Sequence, residues 1–163
     1  LATIPKKLGD HYDPTTHTVR LSTLVAEQPS VAALAIAAHE LGHAQQKRED
    51  SPMIRLREVL VPAVRLAPTI SYILVIAGVG LERLSLIWMG VACFALTTVF
   101  MLMTLPIEID ASRRAFVLLE KSDLLAAEDR KGARQMLNAA ALTYAVTSVF
   151  SVVQLARYIL VRR

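Results

Sequence analysis

The chain has 163 residues, of which 54% are hydrophobic and 20% are charged, with a net charge of +4. Soluble domains average about 45–50% apolar and about 25% charged residues, so this balance favours a membrane protein and excludes a disordered chain. The single cysteine excludes a disulfide-rich fold, and the Lys and Arg residues flank apolar runs, which is typical of membrane orientation rather than of nucleic-acid binding.

The first pattern along the chain predicts a small β element. Residues 8–22 contain a Pro-Thr-Thr turn cluster, and the segment from Thr18 to Leu21 alternates polar and apolar residues. This pattern predicts a β-hairpin or a single edge strand after a turn. The segment Thr18 to Ser22 is also a candidate for holding an extended peptide by β-augmentation. We interpret His11 and His17 as turn residues rather than metal ligands.

Residues 30–48 predict a helix. The segment begins with Ser30, which suits an N-cap, continues through alanines and leucines without proline, and ends in Lys47 and Arg48. Cations at the C-terminal end of a helix interact favourably with its dipole.

Three apolar stretches follow. Residues 66–81 and 84–105 are separated only by Glu82 and Arg83, and residues 84–105 carry no charge over 22 positions. Because about 20 apolar residues cross a bilayer, these two runs predict a transmembrane helical hairpin whose first helix needs to reach back through Pro62. Residues 137–161 predict a third helix that spans or lies partly in the membrane.

These patterns divide the chain into four parts. We expect a hairpin plus helix on the cytoplasmic side in residues 1–58, a transmembrane hairpin in 59–106, a cytoplasmic-side helical segment in 107–135, and a third membrane helix in 136–163. Within 107–135 we expect a helix, a break near residues 121–123, and a second short helix. Residues 1–58 and 107–135 carry thirteen Lys and Arg against one in the tip between the first two spans, which favours the cytoplasm for both.

The predicted helix of residues 30–48 contains the pattern H-E-x-x-H in His39, Glu40 and His43. A spacing of four places both imidazoles one turn apart on one helical face, where their nitrogens converge on a zinc ion. Glu40 is rotated by about 100° from His39 and is suited to act as the general base on a zinc-bound water.

A catalytic zinc needs a third protein ligand. Glu108 is the favoured candidate, because it directly follows the second predicted span and an ionisable group there is costly without a partner. A transmembrane hairpin returns the chain to the side that it left, so Glu108 can come back to the two histidines. Two alternatives remain open: Glu49 at the end of the H-E-x-x-H helix, and Asp110 as the second choice.

The segments DHYDP, TVRLS, AAHELGHAQQ, LPIEIDASRRA and NAAALTYA, in this order, resemble the bacterial membrane-embedded neutral zinc metallopeptidases of the YugP-like family. The segment around Glu108 is also similar to the E-x-x-A-D segment of HtpX-like and CAAX-prenyl endopeptidases. The resemblance implies His39, His43 and Glu108 as zinc ligands, a gluzincin-like set, and Glu40 as the base. Ser112 stands where the larger group has Asp. Since family members carry a further segment before DHYDP, we expect this chain to be part of a longer sequence.

The sequence therefore predicts a mainly α-helical integral membrane bundle with a zincin-like active-site helix and a short β-hairpin or edge strand. The expected function is zinc-dependent endopeptidase activity, with one Zn²⁺ per chain and a zinc-bound water activated by Glu40. We expect the bilayer and a membrane-associated or partly unfolded polypeptide as partners, no nucleic acid, and location in the bacterial plasma membrane with a cytoplasmic active site. The alternatives are a non-catalytic zinc-binding scaffold and a metal transporter.

Overall fold

The structure, a computed structural model, describes the backbone of residues 1–6 and 9–160 and the side chains of these residues up to 157. The described part is mainly helical, as predicted. Its strands are β1 (Ala2–Ile4), β2 (His11–Asp13) and β3 (Thr18–Ser22), and its helices are α1 (Thr23–Glu27), α2 (Val31–Arg48), α3 (Pro52–Gly80), α4 (Leu84–Lys121) and α5 (Arg130–Leu160).

The three strands form one sheet in the order β1-β3-β2. β2 and β3 pair antiparallel as a hairpin, which confirms the predicted hairpin. The edge-strand alternative for β3 is wrong, because β1 pairs with it in parallel from the other side, with Ala2 opposite Arg20. β3 is therefore the central strand and β2 is an edge strand. His11 lies in β2 rather than in the turn, whereas His17 is a turn residue with a φ of 49°.

Helix α2 begins and ends where local chemistry predicts. The Ser30 hydroxyl oxygen accepts a hydrogen bond from the Ala33 amide at 3.1 Å, which satisfies one of the unpaired amides of the first turn. The helix ends at Arg48, and Asp50 two residues later has a φ of 52°, a conformation that a regular helix cannot continue. The helix predicted over residues 30–48 is thus confirmed.

Helices α3, α4 and α5 are each long and apolar enough to cross a membrane, which agrees with the predicted integral membrane fold. α3 does reach back from its apolar run through Pro62 and Pro68. Many large apolar side chains of these helices are exposed, among them Ile73, Val99 and Val149. Exposed apolar surface of this extent on helices of this length is expected for contact with lipid.

Two helix boundaries differ from the prediction. The second span and the segment that carries Glu108 form the single 38-residue helix α4, because Pro106 lies within the helix without ending it. The break after Lys121 is present, with Asp123 at a φ of 52°. The short helix expected after this break is wrong: residues 122–129 form turns and loop, and residues 130–135 are the start of the long helix α5.

The chain divides into two compact units, one of residues 1–54 and 107–143 and the other of residues 55–106 and 144–163. The first unit contains the sheet, α2 and the C-terminal part of α4. Its core is built mostly of alanines and leucines from α2, α4, α5 and the loop before α5: Ala35, Ala38, Ala115, Leu119, Leu125, Ala133 and Leu137. Small alanine side chains let helix backbones approach closely, which brings α2 alongside α4.

Candidate metal centre

Three predicted ligand side chains meet in the first unit. His39 and His43 lie one turn apart on α2, with ring centroids separated by 4.7 Å and ring planes at 85°. Glu108, which is 2% exposed, extends from α4, and its Oε2 atom lies 3.3 Å from the Nε2 atom of each imidazole. The ligand atoms of all three side chains lie within 4.8 Å of one another. The structure thus brings His39, His43 and Glu108 together as the sequence predicts.

The close approach of α2 and α4 depends on Gly42, which lies between the two histidines. A Cβ atom at this position would lie 2.5 Å from the carbonyl oxygen of Ala111, far inside van der Waals contact. Glycine is therefore the residue that lets the α4 backbone pass this close. This contact sets the distance over which Glu108 reaches the two imidazoles.

The two nitrogen-to-oxygen distances fit a tetrahedral zinc ion. Zinc bonds to His nitrogen and carboxylate oxygen are about 2.0–2.2 Å long, which separates neighbouring ligand atoms in a tetrahedron by about 3.3–3.5 Å. Both Nε2 to Oε2 distances are 3.3 Å. Two imidazoles and one carboxylate also match the known ligand set of catalytic zinc sites that keep a fourth position open.

Glu40 lies beside this group but has a different partner. Its side chain is buried, and its Oε2 atom accepts a hydrogen bond from the backbone amide of Tyr12 in β2 at 2.8 Å. The contact ties the carboxylate to the edge strand. Glu40 thus follows His39 directly on α2 but does not belong to the ligand group.

Each histidine has a hydrogen-bond partner on its other ring nitrogen. The hydroxyl oxygen of Ser112 lies 3.2 Å from Nδ1 of His39. Since Ser112 stands where the larger group of proteases has Asp, a hydroxyl here takes the place of a carboxylate beside this imidazole. Nδ1 of His43 lies 3.0 Å from Oε1 of Gln46. Such outer partners fix the tautomer and the orientation of metal-binding imidazoles.

The two alternative third ligands lie outside the group. Asp110 accepts hydrogen bonds from Gln46 at 2.8 Å and from Arg114 at 2.6 Å. Glu49 forms an ion pair with Arg114 at 2.7 Å. The Arg114 guanidinium, chiefly through its hydrogen bond, lowers the pKa of Glu49 below its ordinary value. Both carboxylates thus pair with Arg114 and lie outside the ligand group.

His11 and His17 do not belong to the metal group. Nδ1 of His11 lies 2.6 Å from the carbonyl oxygen of Gly9, and Nδ1 of His17 lies 2.8 Å from the Tyr12 hydroxyl. Among the residues that the structure describes, the one cluster of three or more potential metal ligands is His39, His43 and Glu108.

The sequence patterns did not single out two residues of this centre. Gln46 follows His43 by three positions. This spacing puts both side chains on the same helix face and could have indicated Gln46 as a partner of His43. Tyr12 contributes through its backbone amide, which no side-chain pattern reveals. The hydrogen bonds from Gln46 to Ile107 and from the Tyr12 amide to Glu40 each join segments that are far apart in the chain.

Comparisons with known proteins agree with this geometry. A family model described as "Putative neutral zinc metallopeptidase" matches residues 1–163. The chain is 36% identical over 154 residues to the "Putative membrane protease YugP" of Bacillus subtilis (strain 168), covering 94% of this chain and 68% of the relative. No solved structure matches the chain. The chain belongs to the neutral zinc metallopeptidase family that this model describes.

Proposed function

We propose that this protein is a zinc-dependent membrane endopeptidase with one catalytic zinc site. The observation that carries the proposal is the convergence of His39, His43 and Glu108, with both Nε2 to Oε2 distances at 3.3 Å. Family membership and the three apolar helices support the same activity and a membrane location.

The three ligands and Glu40 have separate roles in this proposal. His39, His43 and Glu108 would hold the zinc, which supplies a Lewis acid and lowers the pKa of a water molecule. Glu40 takes a proton from the attacking water and returns it to the leaving amine as the peptide bond breaks. The Tyr12 amide holds Glu40 through one oxygen, Oε2, so that this carboxylate stays near the reaction.

The substrate we propose is an extended stretch of a membrane-associated or partly unfolded polypeptide. Proteins commonly bind extended peptides by adding them to an exposed sheet edge. β3 is the central strand, so the edge strand next to the metal centre is β2, whose Tyr12 amide already donates to Glu40. Thr18–Ser22 therefore has no open edge for a peptide, and a peptide that pairs with β2 would have to take the Tyr12 amide from Glu40.

We further propose that the centre faces the cytoplasm of a bacterial cell. The support is the excess of Lys and Arg in residues 1–58 and 107–135 over the tip at Glu82 and Arg83. Protease protection in inverted membrane vesicles tests this orientation. Cleavage in residues 122–129 is expected when the cytoplasmic face is outward, and protection of that loop would contradict it.

Metal analysis tests the ligand set. The detergent-purified chain should hold about one zinc, and His43→Ala and Glu108→Ala should each lose it, because a three-ligand site missing one ligand binds zinc weakly. Glu49→Ala is the matched control and should keep its zinc. Loss of zinc in Glu49→Ala with retention in Glu108→Ala would reverse the assignment.

Activity against a labelled unfolded protein separates an enzyme from a zinc-binding scaffold or a metal transporter. Glu40→Gln should keep zinc and lose hydrolysis, because the amide cannot accept the water proton. Retained hydrolysis would remove Glu40 as the base. A wild-type chain that holds zinc but cleaves no peptide, in detergent and in bilayers, would favour the scaffold or the transporter.

A further inference from the structure

We propose that Gln46 is a positioning residue that holds His43 as the Nδ1–H tautomer and ties it to the backbone of α4 next to Glu108. The inference rests on the proposed zinc site and derives from the Gln46 contacts which tautomer of His43 is held and where. Gln46 is 3% exposed, and its side-chain amide contacts α2 and α4 at once.

The orientation of the Gln46 amide follows from its partners. Nε2 lies 2.8 Å from the carbonyl oxygen of Ile107 and 2.8 Å from Oδ2 of Asp110. A carbonyl oxygen only accepts hydrogen bonds, so the end of the amide that faces Ile107 must be the NH₂ group. Both hydrogens of this group are used, one for each acceptor.

The orientation of the amide determines the proton position on His43. The remaining end of the Gln46 amide is Oε1, which only accepts, and it lies 3.0 Å from Nδ1 of His43. Nδ1 must therefore carry the proton. In the neutral imidazole this leaves Nε2 with its lone pair, and Nε2 is the atom that lies 3.3 Å from Glu108. His43 is thus preset to offer the ring nitrogen that the metal site requires.

The same amide also fixes the position of His43 relative to the third ligand. Ile107 precedes Glu108 directly on α4, so the hydrogen bond from Gln46 to its carbonyl oxygen anchors α2 at that point. Arg114 in turn holds the Asp110 carboxylate at 2.6 Å, which keeps the second acceptor in place. One buried side chain thereby orients one ligand and spaces it from another.

Two measurements on the full chain in detergent test the inference. Nitrogen-15 NMR of histidine-labelled, metal-free protein reports the tautomer of His43 directly, with His43→Gln identifying its signals. Zinc affinity is measured by competition with a chromogenic chelator for wild type, for Gln46→Met, and for the matched control Gln45→Met. Met keeps the length of Gln and its helix propensity but cannot make these hydrogen bonds. Gln45 is exposed on the same helix.

The expected results are distinct. Metal-free wild type should show the proton of His43 on Nδ1, and Gln46→Met should lose this preference and bind zinc about 10–100-fold more weakly, the range seen for outer partners of metal ligands. Gln45→Met should match wild type in both measurements. The visible spectrum of bound Co²⁺ should also change in Gln46→Met alone, which a general loss of helix stability does not produce.

Three outcomes would overturn the inference: a proton on Nε2 of His43 in the metal-free wild type, wild-type zinc affinity in Gln46→Met, or equal weakening in the two Met variants. The NMR measurement requires no variant that alters Gln46, so misfolding of Gln46→Met leaves it intact. If wild type binds no zinc while His43 carries its proton on Nδ1, the proposed enzyme fails and the tautomer assignment stands.

Discussion

Replacing Gly42 by alanine separates the role of helix spacing from the role of the ligands themselves. The added Cβ would lie 2.5 Å from the Ala111 carbonyl oxygen, 3.2 Å from its carbonyl carbon and 3.3 Å from its Cα. All three are backbone atoms, so no side chain can rotate away to relieve the contact. Ordinary contact begins at about 3.4 Å, so the α4 backbone must move away from α2 by nearly 1 Å to restore it.

The expected effect is larger on metal binding than on stability. Overpacking costs about 1–3 kcal/mol. The helix propensity of alanine is about 0.8–1.0 kcal/mol more favourable than that of glycine, which offsets part of this cost. The net loss in free energy of unfolding is therefore about 0–2 kcal/mol. Movement of α4 also moves Glu108 from its position 3.3 Å from each imidazole. A displacement approaching 1 Å at a reacting centre costs on the order of 100-fold.

Zinc affinity by chelator competition, together with hydrolysis of a labelled unfolded protein, measures this effect. Gly42→Ala should bind zinc more weakly and lose activity on the order of 100-fold. Gly132→Ala is the matched control in the same unit, because a Cβ there meets only Val31 Cγ1 at 3.6 Å, an ordinary contact. It should keep wild-type affinity.

Wild-type zinc affinity and activity in Gly42→Ala would refute the reasoning, since they would mean that the α2–α4 distance does not set the ligand geometry. Equal losses in Gly42→Ala and Gly132→Ala would also contradict it, because the second substitution does not crowd a backbone. A lower thermal midpoint in Gly42→Ala with unchanged zinc affinity would restrict the role of Gly42 to stability.

The remaining predictions concern hydrogen bonds around the site. Ser112→Ala removes the partner of His39 Nδ1 and should weaken zinc binding about 10-fold, whereas unchanged affinity would show that this hydroxyl does not orient the ring. Arg114→Leu should raise the pKa of Glu49 toward its ordinary value, because the hydrogen bond from the guanidinium is lost. A carbon-13 NMR titration measures this pKa, and an unchanged titration would contradict the assignment. Hydrogen bonds from Thr16 and then Thr15 lower the pKa of Asp13 from 3.8 to about 2. Because the ionised form is favoured in the folded state, this stabilisation is present above the unfolded pKa and is lost as the pH falls from about 4 through 2. Asp13→Asn should abolish that part of the acid dependence of thermal unfolding, and an unchanged acid profile would refute the assignment.

Much of the fold was predictable because its signals are local. Ser30 at the start of α2 and the pair of cations at its end mark a helix by hydrogen bonding and dipole interactions within a few residues. Apolar length predicts the three long helices, although the charge-free run of the first, residues 66–81, is shorter than a full span. The same local reasoning failed at one position. Pro106 is a helix-breaking residue by propensity, yet α4 continues through it, so the helix boundary predicted after the second span was wrong.

The sheet was predictable only in part, because its strand pairing joins segments that are distant in the chain. Alternation in Thr18 to Leu21 indicates a strand but says nothing of its neighbours. β1 is three residues long and pairs in parallel with β3, each residue with one 18 positions later in the chain, so no turn pattern predicts this pairing. The central position of β3, which leaves Thr18–Ser22 no open edge for a peptide, therefore depends on tertiary pairing.

For the metal centre, the sequence by itself predicted that two imidazoles lie together, because a spacing of four puts His39 and His43 on one face of any helix. It left the third ligand open among three carboxylates. Only the tertiary structure separated them: the backbone contact at Gly42 brings α4 close enough for Glu108 to reach both imidazoles, while Arg114 draws Asp110 and Glu49 into ion pairs. Which carboxylate faces the histidines is decided by the spacing of two helices that are more than sixty residues apart in the chain, and no local pattern encodes that spacing.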